Sequence, residues 1–79
     1  MAIQYAGTLA GVETSGSARV TTITGGGALS LRLMEMGLVP GTDVVVIKRA
    51  PLGDPIELRV RGFHLSLRHE EAARVEVSR

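Results

Sequence analysis

The sequence predicts a mainly β protein: a small antiparallel barrel of about five strands with one inserted helix. Two observations support this prediction. Short segments of β-branched or alternating apolar residues recur between turn signals, and only one segment has a clear helical period. Strands and helices do not alternate as β-α-β units, so a parallel sheet is not expected. Closing so small a sheet into a barrel covers edges that an open sheet exposes.

The composition indicates one globular domain, spanning residues 1–79, with an almost neutral balance of charge. Hydrophobic residues make up 44% of the chain, charged residues 22%, and the formal net charge is +1. A charge this weak does not by itself indicate nucleic acid or anionic lipid as a partner. The chain has no cysteine, which excludes disulfides, thiolate zinc sites and cysteine nucleophiles. It has neither the ~20 apolar residues of a membrane span nor a signal-peptide pattern, so we expect a cytoplasmic protein.

The first residues carry weak structural signals. Met1–Gly7 has no clear apolar period, and we expect this segment to be poorly ordered or loosely docked. Thr8 is suited to cap one helical turn over Leu9–Val12, which the Ser-Gly-Ser sequence after it keeps short. Leu9 and Val12 would then close one end of the core.

The first predicted strand is Ala18–Thr24, which is rich in β-branched residues. Val20 and Ile23 fall on opposite faces in strict alternation, so the strand is buried on both sides near its end or contains a bulge. Three glycines follow at Gly25–Gly27. Neither the Gly-Lys-Ser/Thr of a phosphate loop nor a dinucleotide fingerprint accompanies them, and we interpret them as a flexible crossover into the helix.

The inserted helix is predicted over Ala28–Met36. Its core-facing residues recur at i, i+4 and i+7, namely Leu29, Leu33 and Met36. Leu31 and Met34 lie roughly opposite. Gly37 suits the position just after a helix end, where φ is positive, and Leu38 follows it. The segment therefore carries more apolar surface than sealing a small barrel requires.

Strands dominate the second half of the chain. They are separated by the loop Pro51–Pro55 with Leu52 at its tip, a tight turn at Gly62 and a helical turn over Arg68–Ala73. The predicted strands are Asp43–Arg49, Ile56–Arg61, Phe63–Leu67 and a last one with Val75 and Val77. Alternation points six side chains of the middle two strands inward: Ile56, Leu58, Val60, Phe63, Leu65 and Leu67. An SH3-like barrel with an inserted helix accommodates these elements best.

Three blocks of the sequence have an order and spacing that are specific in combination. They are Arg32–Thr42, Pro51–Pro55, and Arg61-Gly62 with Leu65–Arg68 and Glu70–Ala72. In these blocks, and over about residues 8–78, the chain resembles the FeoA family, the small cytosolic proteins of the bacterial ferrous-iron transport system. The resemblance implies an SH3-like barrel without enzymatic activity.

The resemblance also implies a partner, the large membrane permease with a cytosolic GTP-binding domain, which the family is thought to assist or regulate. Contact with the membrane is then expected only through that permease. Similar SH3-like modules form the C-terminal domain of iron-dependent repressors. An iron- or metal-sensing module is therefore an alternative.

Four large apolar side chains are candidates for an exposed, partner-binding patch: Leu31, Met34, Leu38 and Leu52. The alternative is a helix wedged between barrel and loop, with both of its faces buried. If the patch is exposed, its partner is the permease or a second copy of this protein. These residues are the candidate site because no catalytic constellation competes with them.

A metal site is the weaker hypothesis. His64, His69 and Glu70 are the metal-ligand types that cluster in sequence, but their spacing matches no recognised ligand pattern. Ordinary surface residues are the preferred interpretation. We expect no cofactor.

Nucleic-acid binding is the alternative from a different class. Lys48, Arg49, Arg59, Arg61 and Arg68 would form a basic stripe, but only Tyr5 and Phe63 are aromatic. Bases bound on such a sheet normally stack on exposed aromatic side chains, which this chain is not expected to supply. An enzyme is not predicted, because no serine is accompanied by a base and an orienting acid in a nucleophile motif.

Overall fold

The computed structural model describes residues 6–79. The elements are β1 (Ala6–Thr8), a 3₁₀ turn (Leu9–Gly11), β2 (Ser17–Ile23), α1 (Gly27–Glu35), β3 (Asp43–Arg49), β4 (Ile56–Val60), β5 (Phe63–Leu67), α2 (His69–Ala72) and β6 (Val75–Ser78). Of the segment expected to be poorly ordered, Met1–Tyr5 lies outside the described residues. The expectation was wrong for Ala6 and Gly7, which pair with Ser78 and Val77 as part of β1. This strand raises the number of strands from about five to six.

All six strands form one antiparallel sheet in the order β1-β6-β2-β3-β4-β5. The mainly β, SH3-like fold predicted from the sequence is confirmed. The sheet surrounds an aliphatic core whose buried members include Leu9, Val20, Val44, Leu58 and Val77. Strands β1 and β5 lie at the two ends of the strand order and do not pair with each other. The expectation that closure covers the edges of the sheet was therefore wrong for these two strands.

The 3₁₀ turn closes one end of the core as expected. Leu9 and Val12 are buried. The turn is held by Arg49 at the end of β3, whose guanidinium Nη2 donates to the carbonyl oxygens of Val12 and, at 2.8 Å, of Ala10. Carbonyl groups at the end of a helical turn have no hydrogen-bond donor within the turn, and the Arg49 guanidinium supplies that donor. The Thr8 side chain makes no capping hydrogen bond, and that part of the prediction was wrong.

Strand β2 contains the bulge that its phase requires. Its pairing with β6 shifts register between Val20 and Thr22. Val20 is buried and Ile23 is half-buried against the core. The extra residue returns Ile23 to the core face, as one inserted residue does in an antiparallel pair.

Strands β4 and β5 form a hairpin whose turn is Arg61-Gly62. Both residues have positive φ, 52° and 83° respectively, as the mirror-image turns of two-residue hairpins require. Phe63 pairs with Val60 directly after the turn. The expectation that Phe63 is buried in the core was wrong, because 71% of it is exposed. It lies on the face of Val60 but at the end of the hairpin, beyond what the core covers.

In the part of the chain that the structure describes, no helix combines the length and the apolar character needed to cross a membrane.

Candidate functional site

Helix α1 is anchored on one side only. Leu33 is fully buried, and Leu29 and Met36 are partly buried against the core, as the i, i+4, i+7 period predicts. Ser30 is buried as well, and its Oγ donates to the carbonyl oxygen of Thr24 at 3.2 Å. Arg32 reaches the Glu71 carboxylate of α2 at 3.7 Å. The helix is therefore fixed by its inner face and one flank.

The opposite side of α1 is open. Leu31 is 58% exposed and Met34 is 41% exposed. At 100° per residue both lie more than a quarter-turn from Leu33, so a buried stripe about 100° wide and centred on Leu33 includes neither of them. Of the two alternatives left by the sequence, the structure shows the exposed face for these two residues. We call Leu31 and Met34 the outer helix face.

Leu38 does not belong to that face. It is fully buried, and its proposed exposure was wrong. After the C-cap Met36, Gly37 has φ of 105°. The Gly37 N–H donates to the Met34 carbonyl at 2.9 Å and the Leu38 N–H to the Leu33 carbonyl at 3.1 Å. These two bonds define a Schellman motif, in which the second residue after the cap makes a hydrophobic contact near the end of the helix. The motif turns Leu38 inward.

Leu52 is exposed but distant from the end of the helix. It is 96% exposed at the tip of the loop that enters β4 at Ile56. A Cβ added to Gly37 would lie 3.6 Å from Val60 Cγ1, so the helix ends at the other end of β4. Five strand residues separate these ends by about 13 Å. The outer helix face and Leu52 are therefore two separate exposed features.

The metal-ligand candidates are not assembled. Within residues 6–79, no three His, Cys, Asp or Glu side chains are grouped so that they could hold a metal ion. His64 pairs across the sheet with Arg59, and a neighbouring cation disfavours a bound metal cation. The His69 backbone N–H donates to Asp54 Oδ1 at 3.0 Å. This hydrogen bond fixes the start of α2 and does not involve the His69 imidazole. The structure does not bring His64, His69 and Glu70 together.

The basic residues are largely occupied by structural contacts. Lys48 lies 3.7 Å from a Glu57 oxygen, and Arg68 lies 3.9 Å from an Asp54 oxygen. Arg49 holds the 3₁₀ turn, as described above. One part of the argument against nucleic acid was wrong, because Phe63 is exposed. It is a single aromatic side chain, whereas sheet platforms of this kind stack two or three bases.

One groove on the described part of the surface is wide and open to solvent. It has a volume of about 430 Å³ and is lined by Ser17, Ala18, Arg19, Asp43, Ser78 and Arg79. Arg19 Nε donates to Asp43 Oδ1 at 2.9 Å, and this hydrogen bond raises the pKa of the Arg19 guanidinium. A groove with an internally paired cation and carboxylate offers no free charge to a ligand. It is also open to solvent, whereas ligand pockets usually enclose most of the ligand.

The fold and this surface together define a small SH3-like barrel whose inserted helix presents large apolar side chains to solvent. A family profile described as the FeoA domain matches residues 7–79. The chain belongs to the FeoA family.

Relatives of known identity agree with this assignment. A Porphyromonas gingivalis protein, described as a Fe(2+) transport protein A/Fe(2+) transporter FeoB fusion protein, is 38% identical over 69 residues. Those residues make up 87% of this chain but 8% of that protein. The chain therefore corresponds to a small part of the fusion protein.

Solved structures show the same fold at similar identity. A FeoA-like protein from Clostridium acetobutylicum has a TM-score of 0.84 and 36% identity, covering 94% of this chain and 85% of that chain. FeoA of Stenotrophomonas maltophilia, solved with zinc, has a TM-score of 0.79 and 32% identity, covering 89% and 87% respectively. The latter is described as an SH3 domain protein and a suggested activating factor of ferrous iron transport.

Phe63 is the exposed residue that sequence reasoning missed. Its place in the alternation of β5 is correct, since Leu65 is half-buried and Leu67 fully buried on the same face. The available signal was its position directly after the predicted turn at Gly62. Side chains beside a hairpin turn lie at the margin of a small core, where neighbours on one side are missing.

Proposed function

We propose that this protein is a non-enzymatic accessory component of ferrous-iron uptake, which binds the cytosolic part of the iron permease through Leu31 and Met34. The observation that carries the proposal is the outer helix face, where two large apolar side chains are exposed on a helix that is otherwise anchored. Exposed apolar side chains of this size are often binding sites when they are grouped. The proposed location is the cytoplasm, on the same side as that partner.

The fusion relative supports the choice of partner. In that protein, the part similar to this chain and a FeoB transporter are described as one polypeptide. Joining two modules in one chain raises their effective concentration for each other, which is useful only when the two modules meet. Within the permease, we assign the contact to the cytosolic GTP-binding domain.

The size of the surface suits a weak, regulated contact. Covering each large side chain fully would contribute on the order of 1.5–3 kcal/mol. Association itself costs several kcal/mol in lost freedom. Leu31 and Met34 alone therefore support a moderate affinity, with the surrounding contacts supplying complementarity. Leu52 is a separate apolar contact available to the same large partner.

The test is a pull-down of this protein by the permease's cytosolic domain, with and without guanine nucleotide and Fe²⁺, scored beside the rate of GTP hydrolysis. Met34→Asp places a charge on the outer helix face and is expected to abolish retention. A matched variant, Thr14→Asp, places the same charge on an exposed turn residue outside α1. It is expected to bind as wild type.

Each variant is also melted, because 41% exposure leaves part of Met34 covered. A clean two-state melt together with lost retention supports the proposal. Unfolding of Met34→Asp would show that this side chain belongs to the core, and Leu31→Asp then carries the test. Equal retention of Leu31→Asp and Thr14→Asp would refute the helix as the binding surface.

A further inference from the structure

Strand β5 has backbone groups that no other strand satisfies. It lies at one end of the sheet, with β4 as its only strand neighbour among residues 6–79. Val60 and Phe63 flank a two-residue turn and therefore form a hydrogen-bonded pair, and such pairs alternate along an antiparallel ladder. Phe63, Leu65 and Leu67 consequently direct their N–H and C=O groups at β4. Those of His64 and Ser66 point away from the sheet.

Strand β5 also lacks the sequence features that usually prevent an exposed edge strand from pairing with another chain. Natural edge strands are usually blunted by lysine, proline, inward charges or bulges. The sequence Phe63–Leu67 contains none of these residues, and its pairing with β4 is continuous. His64 and Ser66 are exposed, Phe63 is largely exposed and Leu65 is half-buried. This strand can accept another strand along its whole length.

We propose that β5 pairs with β5 of a second copy of this chain, antiparallel, about a two-fold axis that passes beside Leu65. In this register the His64 and Ser66 backbones of the two copies exchange four hydrogen bonds. Leu65 faces its own equivalent, and Phe63 faces Leu67 of the other copy. The pairing extends the apolar face across the axis and covers Phe63.

The choice of a second copy follows from the symmetry of the strand. Apolar and polar residues alternate over Phe63–Leu67 so that the pattern is the same in both directions. A two-fold axis at the middle residue therefore sets apolar side chains opposite apolar ones, and His64 opposite Ser66. Two-fold interfaces of identical chains require such self-complementary patches.

The charges that flank the strand are compatible with the same arrangement. Arg61 precedes β5 and Glu70 follows it; both are exposed, and neither takes part in an ion pair recorded among residues 6–79. Antiparallel pairing about Leu65 brings Arg61 of one copy to the Glu70 end of the other. Arg68 lies in the same region, but it is already engaged with Asp54 at 3.9 Å. Each end of the shared ladder therefore places Arg61 of one copy near a segment of the other copy that carries both an acidic and a basic side chain, so these charges do not oppose the pairing.

The register is tested by disulfide trapping, which is unambiguous because the chain has no cysteine. Facing residues of a non-hydrogen-bonded pair have Cα atoms about 4.5 Å apart, within the range of a disulfide. Leu65→Cys is therefore expected to form a covalent dimer in a glutathione redox buffer. Phe63→Cys is the control, because its two introduced cysteines would lie about 13 Å apart, so no disulfide is expected between the paired copies.

The hydrogen bonds are tested by Ser66→Pro. Proline removes an N–H that makes no bond to β4, and proline is tolerated where an edge N–H faces solvent. Sedimentation over a concentration series is expected to show a dimer dissociation constant at least about tenfold higher than that of wild type. Ser66→Thr keeps the N–H and is expected to dimerise as wild type. Hydrogen exchange of the His64 and Ser66 amides should slow as wild-type protein is concentrated.

Several results would overturn the proposal. These are a wild-type monomer at millimolar concentration, equal trapping of Leu65→Cys and Phe63→Cys, or a Ser66→Pro dimer as tight as wild type. Slow exchange of the His64 and Ser66 amides in a dilute monomer would mean that another segment of the same chain covers the edge. If Ser66→Pro instead abolished binding to the permease domain while wild type stayed monomeric, the edge would receive a strand of that partner.

Discussion

Leu38 and Phe63 occupy comparable positions with opposite outcomes. Each lies just beyond a tight glycine-containing turn, Leu38 after Gly37 and Phe63 after Gly62. The helix period left Leu38 unassigned to the core, yet it is fully buried, whereas strand alternation placed Phe63 inside, yet 71% of it is exposed. Gly37 and Val60 lie close together, so both residues belong to the same end of the barrel.

The difference shows that periodicity predicts the direction in which a side chain points but not whether other residues bury it. Leu38 is buried because a local backbone motif, two hydrogen bonds at the end of α1, turns the chain over the core. Phe63 points to the correct face but extends beyond the elements that cover it. At the end of an element, local hydrogen bonding and the extent of the core matter more than the repeat.

The largest expected effect is a difference in the free energy of unfolding between variants of these two residues. Leu38→Ala should lower the free energy of unfolding by about 2–5 kcal/mol, because it removes a buried side chain and leaves a cavity. Phe63→Ala should change it by no more than about 0.5 kcal/mol, as surface substitutions usually do. Urea denaturation of both variants, at a concentration where wild type is monomeric, measures the difference. Similar losses of stability for the two variants would contradict the assignment of Leu38 to the core and of Phe63 to the surface.

A smaller effect tests the backbone motif that buries Leu38. Gly37→Ala should cost about 1–2 kcal/mol, because its φ of 105° is a conformation that residues with a Cβ adopt at a cost. A clash does not add to this, since the new Cβ would lie at an ordinary 3.6 Å from Val60 Cγ1. Gly11→Ala is the control: a Cβ there meets nothing within 4 Å and should be neutral or slightly stabilising. Equal melting temperatures for the two variants would contradict the motif's role.

The smallest effect concerns a surface pair far from this comparison. A hydrogen bond from Arg79 holds the pKa of Glu13 below its ordinary value. A carboxyl whose folded pKa is depressed contributes stability above its unfolded pKa, and this contribution is lost as the pH falls through the folded value. Glu13→Gln should therefore remove a slight part of the acid destabilisation below about pH 4.5, with little change at neutral pH. Thermal melts from pH 2 to 7 measure it, and a neutral-pH loss as large as that of Gly37→Ala would be inconsistent with a surface pair.

Much of the fold could be predicted from the sequence because its signals were local. Asp43–Arg49 has the predicted boundaries, the Arg61-Gly62 turn forms where its glycine indicates, and the out-of-phase Val20 and Ile23 required the bulge that is present. The additional strand β1 was missed because Ala6–Thr8 has no pattern of its own and is specified by pairing with β6.

The candidate site was predictable only in part. Leu31 and Met34 followed from the helix period, since side chains opposite a buried stripe must face outward unless another element covers them. The exclusion of Leu38 required the hydrogen bonds of the helix end. The separation of Leu52 from that helix required knowing which end of β4 each approaches.

The central claim, that α1 binds through its outer face while its end serves the core, is tested most directly by calorimetric titration of the permease's cytosolic domain. The titrated proteins are wild type, Leu31→Asp and Thr14→Asp, each first shown to melt as wild type does. Leu31→Asp is expected to weaken binding at least about tenfold, consistent with the lost burial of one large side chain, and Thr14→Asp is expected to bind within about twofold of wild type. Equal dissociation constants for all three proteins would contradict the central claim.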